Sequence, residues 1–251
     1  MDNKLDILEI AKTQLAKDYN CKIEDLNKMK NTIVENKLVD GRRVYDSDGC
    51  FFRTLCFGGK VIINAEKEII TWCGEKFLKS DGEWFFEYPN LKEIDKKLME
   101  FGHEIADIHH YYIPKVGMPE IVPITNIKWY EQEDILQFKD DNRFGQAFVF
   151  DERTPDVLAI AAFDNDCIIG MASATEDSET MWQIGIDVVP QYRGRGIASN
   201  LVGLLKQEVM KRGKVPFYGT VESHLNSQNV AIKAGFVPTW AELYSKVKED
   251  R

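Results

Sequence analysis

The sequence predicts an α+β protein, a mixed and mostly antiparallel sheet flanked by helices and arranged in two lobes. Three observations carry this expectation. Apolar, β-rich runs come in pairs joined by short turns at Gly58-Gly59 and Asn165-Asp166. Segments with helical spacing alternate with further β-rich runs. Pro114, Gly117, Pro119 and Pro123 punctuate the middle of the chain, which reads as a linker between residues 1–120 and 121–251.

The elements follow in order. Leu5, Leu8, Ile10, Ala11, Leu15 and Ala16 fall at helical spacing, and a short helix is expected near Ile23–Met29. Cys50–Phe57 and Lys60–Ala65 read as a hairpin, and Glu66–Lys79 as a helix ending in a turn at Ser80-Asp81-Gly82. Trp84–Tyr88 reads as a short strand, Leu91–Phe101 as a helix capped by Gly102, and His103–Ile113 as a strand. In the second half, Tyr130–Lys139 is expected to be helical. Val157–Asp164 and Cys167–Ala174 form a hairpin, and Met181–Val189 is a long strand. Helix Gly196–Lys211, strand Val215–Glu222, helix Asn226–Ala234 and a last strand region, Phe236–Val247, complete the chain. Strand, helix, strand, helix, strand thus describes both Lys60–Ile113 and Met181–Val247, a hint of two related lobes without any residue-level repeat.

Composition narrows the function. The 251 residues are 44% hydrophobic and 29% charged, with a net charge of -9. A general nucleic-acid binder would carry a basic surplus, so nucleic acid is not the expected partner. The five cysteines, Cys21, Cys50, Cys56, Cys73 and Cys167, form no CxxC pair and read as reduced and mostly buried. The start lacks the basic head and apolar run of a signal peptide, and no apolar stretch approaches bilayer-spanning length. A cytoplasmic protein without a membrane partner is the expectation. His109-His110 makes a poor metal pair, because adjacent strand residues point to opposite faces, and no metal is expected.

The chemistry concentrates after Val189. A strand ends, Gly194 and Gly196 follow with Arg193 and Arg195 between and before them, and a helix begins at once. The first amides of a helix have no internal partner, and the dipole is positive there. Glycine admits an anion close to the backbone, so the junction suits a pyrophosphate. A P-loop would need Gly-Lys-Ser/Thr, which Gly196-Ile197-Ala198 lacks. A dinucleotide fold, as in an oxidoreductase, would need a glycine where Ser199 stands, and several further βα units. Coenzyme A fits both the loop and the short remaining tail.

Gln191-x-x-Gly194-x-Gly196, with Val188 before it and Ile197-Ala198 after it, resembles the signature of the GNAT superfamily, the GCN5-related N-acetyltransferases. Asn226–Phe236, ending Lys233-Ala234-Gly235-Phe236, is similar to that family's next element. The resemblance covers roughly Trp129 to Val247. Through Asp18–Asp25 and Trp182–Asp187 the whole chain also resembles clostridial-type GNAT proteins with an N-terminal extension.

The resemblance implies acetyl-CoA as cosubstrate and transfer of its acetyl group to a primary amine, on a small molecule or a peptide. It implies a pantetheine arm lying along Asp187, Val188 and Val189, with the Val188 amide polarising the thioester carbonyl. It implies a pyrophosphate held by Arg193, Gly194, Arg195, Gly196, Ile197 and Ala198, and a cofactor contact from Ser227. The base that takes the amine proton is sought among Glu222, His224 and Asp187. The family's helix tyrosine, the acid for the leaving thiolate, is replaced here by Ala231, with Tyr218 and Tyr244 as substitutes. That departure keeps open a non-catalytic acyl-CoA-binding regulatory module. The first lobe has Asn64–Glu68 where a cofactor loop would stand, and two acidic residues there would repel a pyrophosphate. It is expected to be a degenerate GNAT-like lobe that binds no cofactor and either walls the substrate cleft or forms a homodimer surface.

Overall fold

A computed structural model describes residues 6–43 and 51–249. Leu5 and Cys50, which entered the sequence reading, lie outside the described residues. The chain divides into two compact units. One holds the described residues up to Ala11 together with Tyr112–Pro238, and the other holds Lys12–Tyr111 with the described residues from Thr239 onward.

The unit built around Tyr112–Pro238 is a five-stranded sheet in the order β9-β8-β7-β6-β5. Its strands are β5 (Asn126–Glu131), β6 (Asp156–Asp164), β7 (Cys167–Glu176), β8 (Met181–Val188) and β9 (Val215–Val221). All pair antiparallel except β8 with β9, which run parallel. Alternation along β6 decides what covers each face. Leu158, Ile160 and Ala162 pack with Leu201, Leu205 and Val209 of helix α5 (Ile197–Lys211). Ala159 and Ala161 point the other way, into a second core with Phe138, Phe144 and Phe148. Helix α6 (Leu225–Lys233) lies beside α5, joined to it by Lys206. The buried Lys206 ammonium donates to the Ala234 carbonyl at 2.5 Å, at the C-terminal end of α6. Burial lowers its pKa, and the carbonyl end of a helix dipole favours a cation.

The segment expected to link two lobes is part of this unit. Gln207 of α5 accepts from the Ile121 amide at 2.6 Å and donates to the Ile121 carbonyl at 3.0 Å. Asn200 donates to the Val122 carbonyl at 2.8 Å. The chain divides after Ala11, Tyr111 and Pro238.

The other unit has strand order β1-β3-β2-β10-β4, with β1 (Thr32–Glu35), β2 (Phe52–Phe57), β3 (Lys60–Ala65), β4 (His103–Pro114) and β10 (Phe236–Val247). β2 and β3 form the expected hairpin, and β10 pairs antiparallel with β2 from Trp240 to Tyr244. Helices α2 (Lys67–Phe77) and α3 (Tyr88–Met99) bury Ile69, Cys73, Phe77, Ile94 and Leu98 against Phe52, Val61, Ile63 and Leu243. Beneath α1 (Ile7–Asp18) a charged cluster is fully enclosed. The Arg43 guanidinium donates to Asp18 at 2.6 Å and to Glu242 at 2.7 Å. Gln14 and Trp240 donate to the same two carboxylates. Burial pushes the thiols of Cys21 and Cys73 up to about 12, which keeps them protonated.

Four expectations are corrected. Trp84–Tyr88 is not a strand: 84–87 form turns and Tyr88 begins α3. Gly82 backs onto the β2–β3 hairpin so closely that a Cβ would stand 2.5 Å from Lys60 Cα, which bends the chain there. The order in this unit is therefore strand, helix, helix, strand, and it does not repeat the order of Met181–Val247. The helix expected over Tyr130–Lys139 is the end of β5, one turn of α4 (Gln132–Ile135) and a 3-10 turn at Leu136–Phe138. Ile23–Met29 shortens to a 3-10 turn over Ile23–Leu26.

Candidate functional site

The site is built where β8 ends and α5 begins. β8 and β9 pair only from Met181 with Val215 to Gln183 with Phe217. Beyond Gln183 the strands part, so Ile184–Val188 keep their β7 partners and present an open edge on the other side. Strand geometry decides which backbone groups face that edge. The Val189 amide donates to the Ile169 carbonyl at 3.0 Å, toward β7. Successive amides alternate, so the Val188 amide turns to the open edge. Asp187 pairs with Met171, and its own amide and carbonyl face β7. The Val189 carbonyl accepts from the Tyr192 amide at 2.9 Å. Of the three residues expected to offer backbone groups, Val188 alone presents an amide to the opening.

The loop follows directly. Pro190–Tyr192 make one 3-10 turn, and Gly194 and Gly196 then take φ of 78° and 81°. That left-handed backbone is costly for any residue with a Cβ. The space above Gly194 is open to beyond 4 Å. The result is a row of amides, from Gly194 to Ser199, that finds no backbone carbonyl among the described residues. They converge at the positive end of the fifteen-residue α5.

The two arginines brace the loop. Arg193 Nε donates to the Val188 carbonyl at 3.0 Å. Arg195 donates to the Gln191 carbonyl at 3.3 Å and stacks 5.0 Å from the Tyr192 ring centroid. Tyr192 donates in turn to Asp164 at 3.0 Å. Ile197 is buried and anchors the helix start, while Ala198 is half-buried beside it.

Ser227, near the start of α6, lies 2.8 Å from the Tyr218 hydroxyl on β9. Burial raises the Tyr218 pKa, and the carboxylate of Asp187 raises it further. Tyr218 and Ala231 belong to one core cluster with Phe236. Tyr218 is thus a buried phenol of this unit within electrostatic reach of Asp187. Tyr244 belongs to the other unit.

Glu222 and His224 stand apart from the buried groups. Both are exposed, Glu222 in the turn after β9 and His224 at the N-cap of α6 without a side-chain cap bond. Asp187 has a structural use: its carboxylate accepts from the Gln146 amide at 2.6 Å and the Ala147 amide at 3.1 Å. Burial raises its pKa, against the opposing pull of those amides and of Arg193. Sequence reasoning did not single out Gln146, Ala147 or Asp156. Their connection to the site runs through backbone amides, which carry no residue-type signature.

In the other unit, Asn64–Glu68 spans the end of β3 and the start of α2. Asn64 donates to the carbonyls of Tyr19 and Glu35, and Glu66 is the N-cap. Among the described residues no group of three His, Cys, Asp or Glu side chains could hold a metal ion, and no helix is long and apolar enough to cross a membrane.

Several solved structures are similar in part. A GCN5-related N-acetyltransferase-like protein from Streptococcus suis is 14% identical over 80% of this chain and 86% of its own, with a TM-score of 0.46. A GCN5-related N-acetyltransferase from Kribbella flavida is 13% identical, covering 64% of this chain and 65% of its own, at a TM-score of 0.45. The Salmonella typhimurium protein yncA, solved with its cofactor acetyl-CoA, is 14% identical over 50% of this chain and 95% of its own, at 0.36. No curated protein matches the sequence. The stretch 119–236, which carries β8, the loop, α5 and α6, matches the acetyltransferase (GNAT) family.

Proposed function

We propose that this protein is an N-acyltransferase that moves an acetyl group from acetyl-CoA to a primary amine, on a small molecule or a peptide. The observation that carries the reading is the row of unpartnered amides from Gly194 to Ser199, set at the end of a strand whose far edge is open. The amides suit a pyrophosphate, and the open edge of β8 suits the amide-bearing pantetheine arm, which can add as a strand. When bound, acetyl-CoA supplies an activated acyl group on a thioester.

The residues of the chain divide the remaining work. The Val188 amide faces the opening and donates to the oxygen that gains negative charge during attack. Glu222 and His224, at the exposed turn from β9 into α6, take the amine proton through water. Tyr218, held by Ser227, returns a proton to the departing thiolate. Its raised pKa keeps the phenol protonated at neutral pH. Arg193 keeps the loop closed on the Val188 carbonyl and so fixes the position of the amide on the same residue.

One observation favours a second reading, a non-catalytic acyl-CoA-binding regulatory module: Ala231 stands where the resemblance calls for an acid, and Glu222 and His224 are exposed. Calorimetric titration with acetyl-CoA, with NADH and ATP as controls, tests what both readings share. Saturable binding of acetyl-CoA alone is expected, and equal binding of NADH would refute it. Release of free thiol with a panel of primary amines then separates the two. Binding without turnover selects the regulatory module.

A further inference from the structure

A short segment crosses the face of the sheet beside this cleft, and two aspartates hold it. Residues 145–150 follow a 3-10 turn, Asn142–Phe144, whose Phe144 ring is buried in the core with Ala147 and Phe148. Asp187 of β8 grips the amides of Gln146 and Ala147. Asp156 of β6 grips the next pair, accepting from Val149 at 3.1 Å and Phe150 at 2.8 Å, and is itself bonded by the Ser173 hydroxyl at 3.1 Å. Phe150 takes a φ of 53°, a left-handed conformation that only a well-held backbone keeps. Between the two grips the segment rests on bare strand. A Cβ at Gly185 would stand 2.5 Å from the Gln146 carbonyl oxygen and 2.8 Å from that of Ala147. No gap wide enough for a methyl group remains there.

The direction of the cleft gives this contact a use. A ligand with its pyrophosphate at Gly194–Ser199 and its arm along the open edge of β8 runs from Val189 back toward Ile184. Its acyl end, beyond the Val188 amide, reaches the stretch of β8 that the segment covers. We propose that residues 145–150 are a strap that closes the acyl end of the cleft and limits the acyl group to a short chain, with Asp187 as the positioning residue that holds the strap on β8. This rests on the acyl-CoA reading above and adds the acyl length, which the loop leaves open.

The test is calorimetric affinity for CoA, acetyl-CoA and hexanoyl-CoA in the full chain and three variants. The wild type should bind hexanoyl-CoA at least about tenfold more weakly than acetyl-CoA, since overfilling a closed site forces its walls apart. Asp187→Ala should narrow that ratio to within a few-fold. Asp187→Asn keeps a carbonyl oxygen for the two amides and should retain it. Gly185→Ala displaces the strap from the other side of the contact and should narrow the ratio even if Asp187→Ala does not fold. Equal affinity of the wild type for the two acyl-CoAs, or a wild-type ratio in either folded strap variant, overturns the strap. Failure of the wild type to bind CoA itself refutes the loop reading first, and the strap proposal with it.

Discussion

Gly194→Glu separates the anion site from the fold. The backbone at Gly194 has a φ of 78°, so any side chain there costs about 1–2 kcal/mol of stability. No heavy atom lies within 4 Å of the added Cβ, so no steric cost joins the strain. The strain is common to the free and bound protein and leaves affinity almost untouched. The charge does not. A carboxylate about 6 Å from one phosphate charge, at an effective dielectric of about 20, repels by about 3 kcal/mol, or roughly a hundredfold in affinity. Gly194→Ala carries the same strain without the charge and should bind acetyl-CoA within a few-fold of wild type. Calorimetry gives the affinities, and circular dichroism shows that both variants are folded. A folded Gly194→Glu protein with wild-type affinity would refute the anion-site argument.

Other perturbations read other parts of the molecule. Arg43→Met strands the buried carboxylates of Asp18 and Glu242 and should destabilise the protein by about 3–5 kcal/mol, seen as a fall of about 10 °C in Tm. Tyr218→Phe should slow thiol release by about a hundredfold while acetyl-CoA affinity holds, and an unchanged rate removes Tyr218 as the proton donor. Asp187→Asn has a signed pH signature. Burial raises the native pKa of Asp187, so between the ordinary carboxylate pKa and the raised one the native state holds more protons than the unfolded state. Wild type should therefore lose stability relative to the variant as pH rises through that window, measured by urea unfolding. The opposite slope would mean that the amide bonds outweigh burial.

The loop and its flanking elements were legible because their chemistry is local. Gly194, Gly196 and the apolar face of α5 are a few residues apart, and each fixes its own conformation. Trp84–Tyr88 misled because aromatic residues favour strands in general, whereas here Gly82 pressed against the hairpin makes the chain turn. Thr32–Glu35 was missed because four half-buried residues show no periodicity of their own, and only pairing with β3 makes them a strand. Asn126–Glu131 was hidden by the expected helix that overlaps it. The strap was illegible for a different reason. Asp187 and Gln146 are bonded through a backbone amide across 41 residues, and nothing in either side chain announces that partner.

The pairing of β2 with β10 has a consequence for biosynthesis. Paired residues of the two strands lie 183 to 191 positions apart, and nearly all of Tyr112–Pro238 falls between the strands in the chain. Arg43 likewise waits for Glu242, 199 residues later. On the ribosome, the unit around Tyr112–Pro238 has nearly all of its own strands before Thr239 emerges, while β2 still has a bare edge and Asp18 and Arg43 still lack their third partner. An unpaired edge is a template for other chains, so nascent chains stalled before β10 should be the aggregation-prone species. The segment from Thr239 onward then acts as a clasp that must close last.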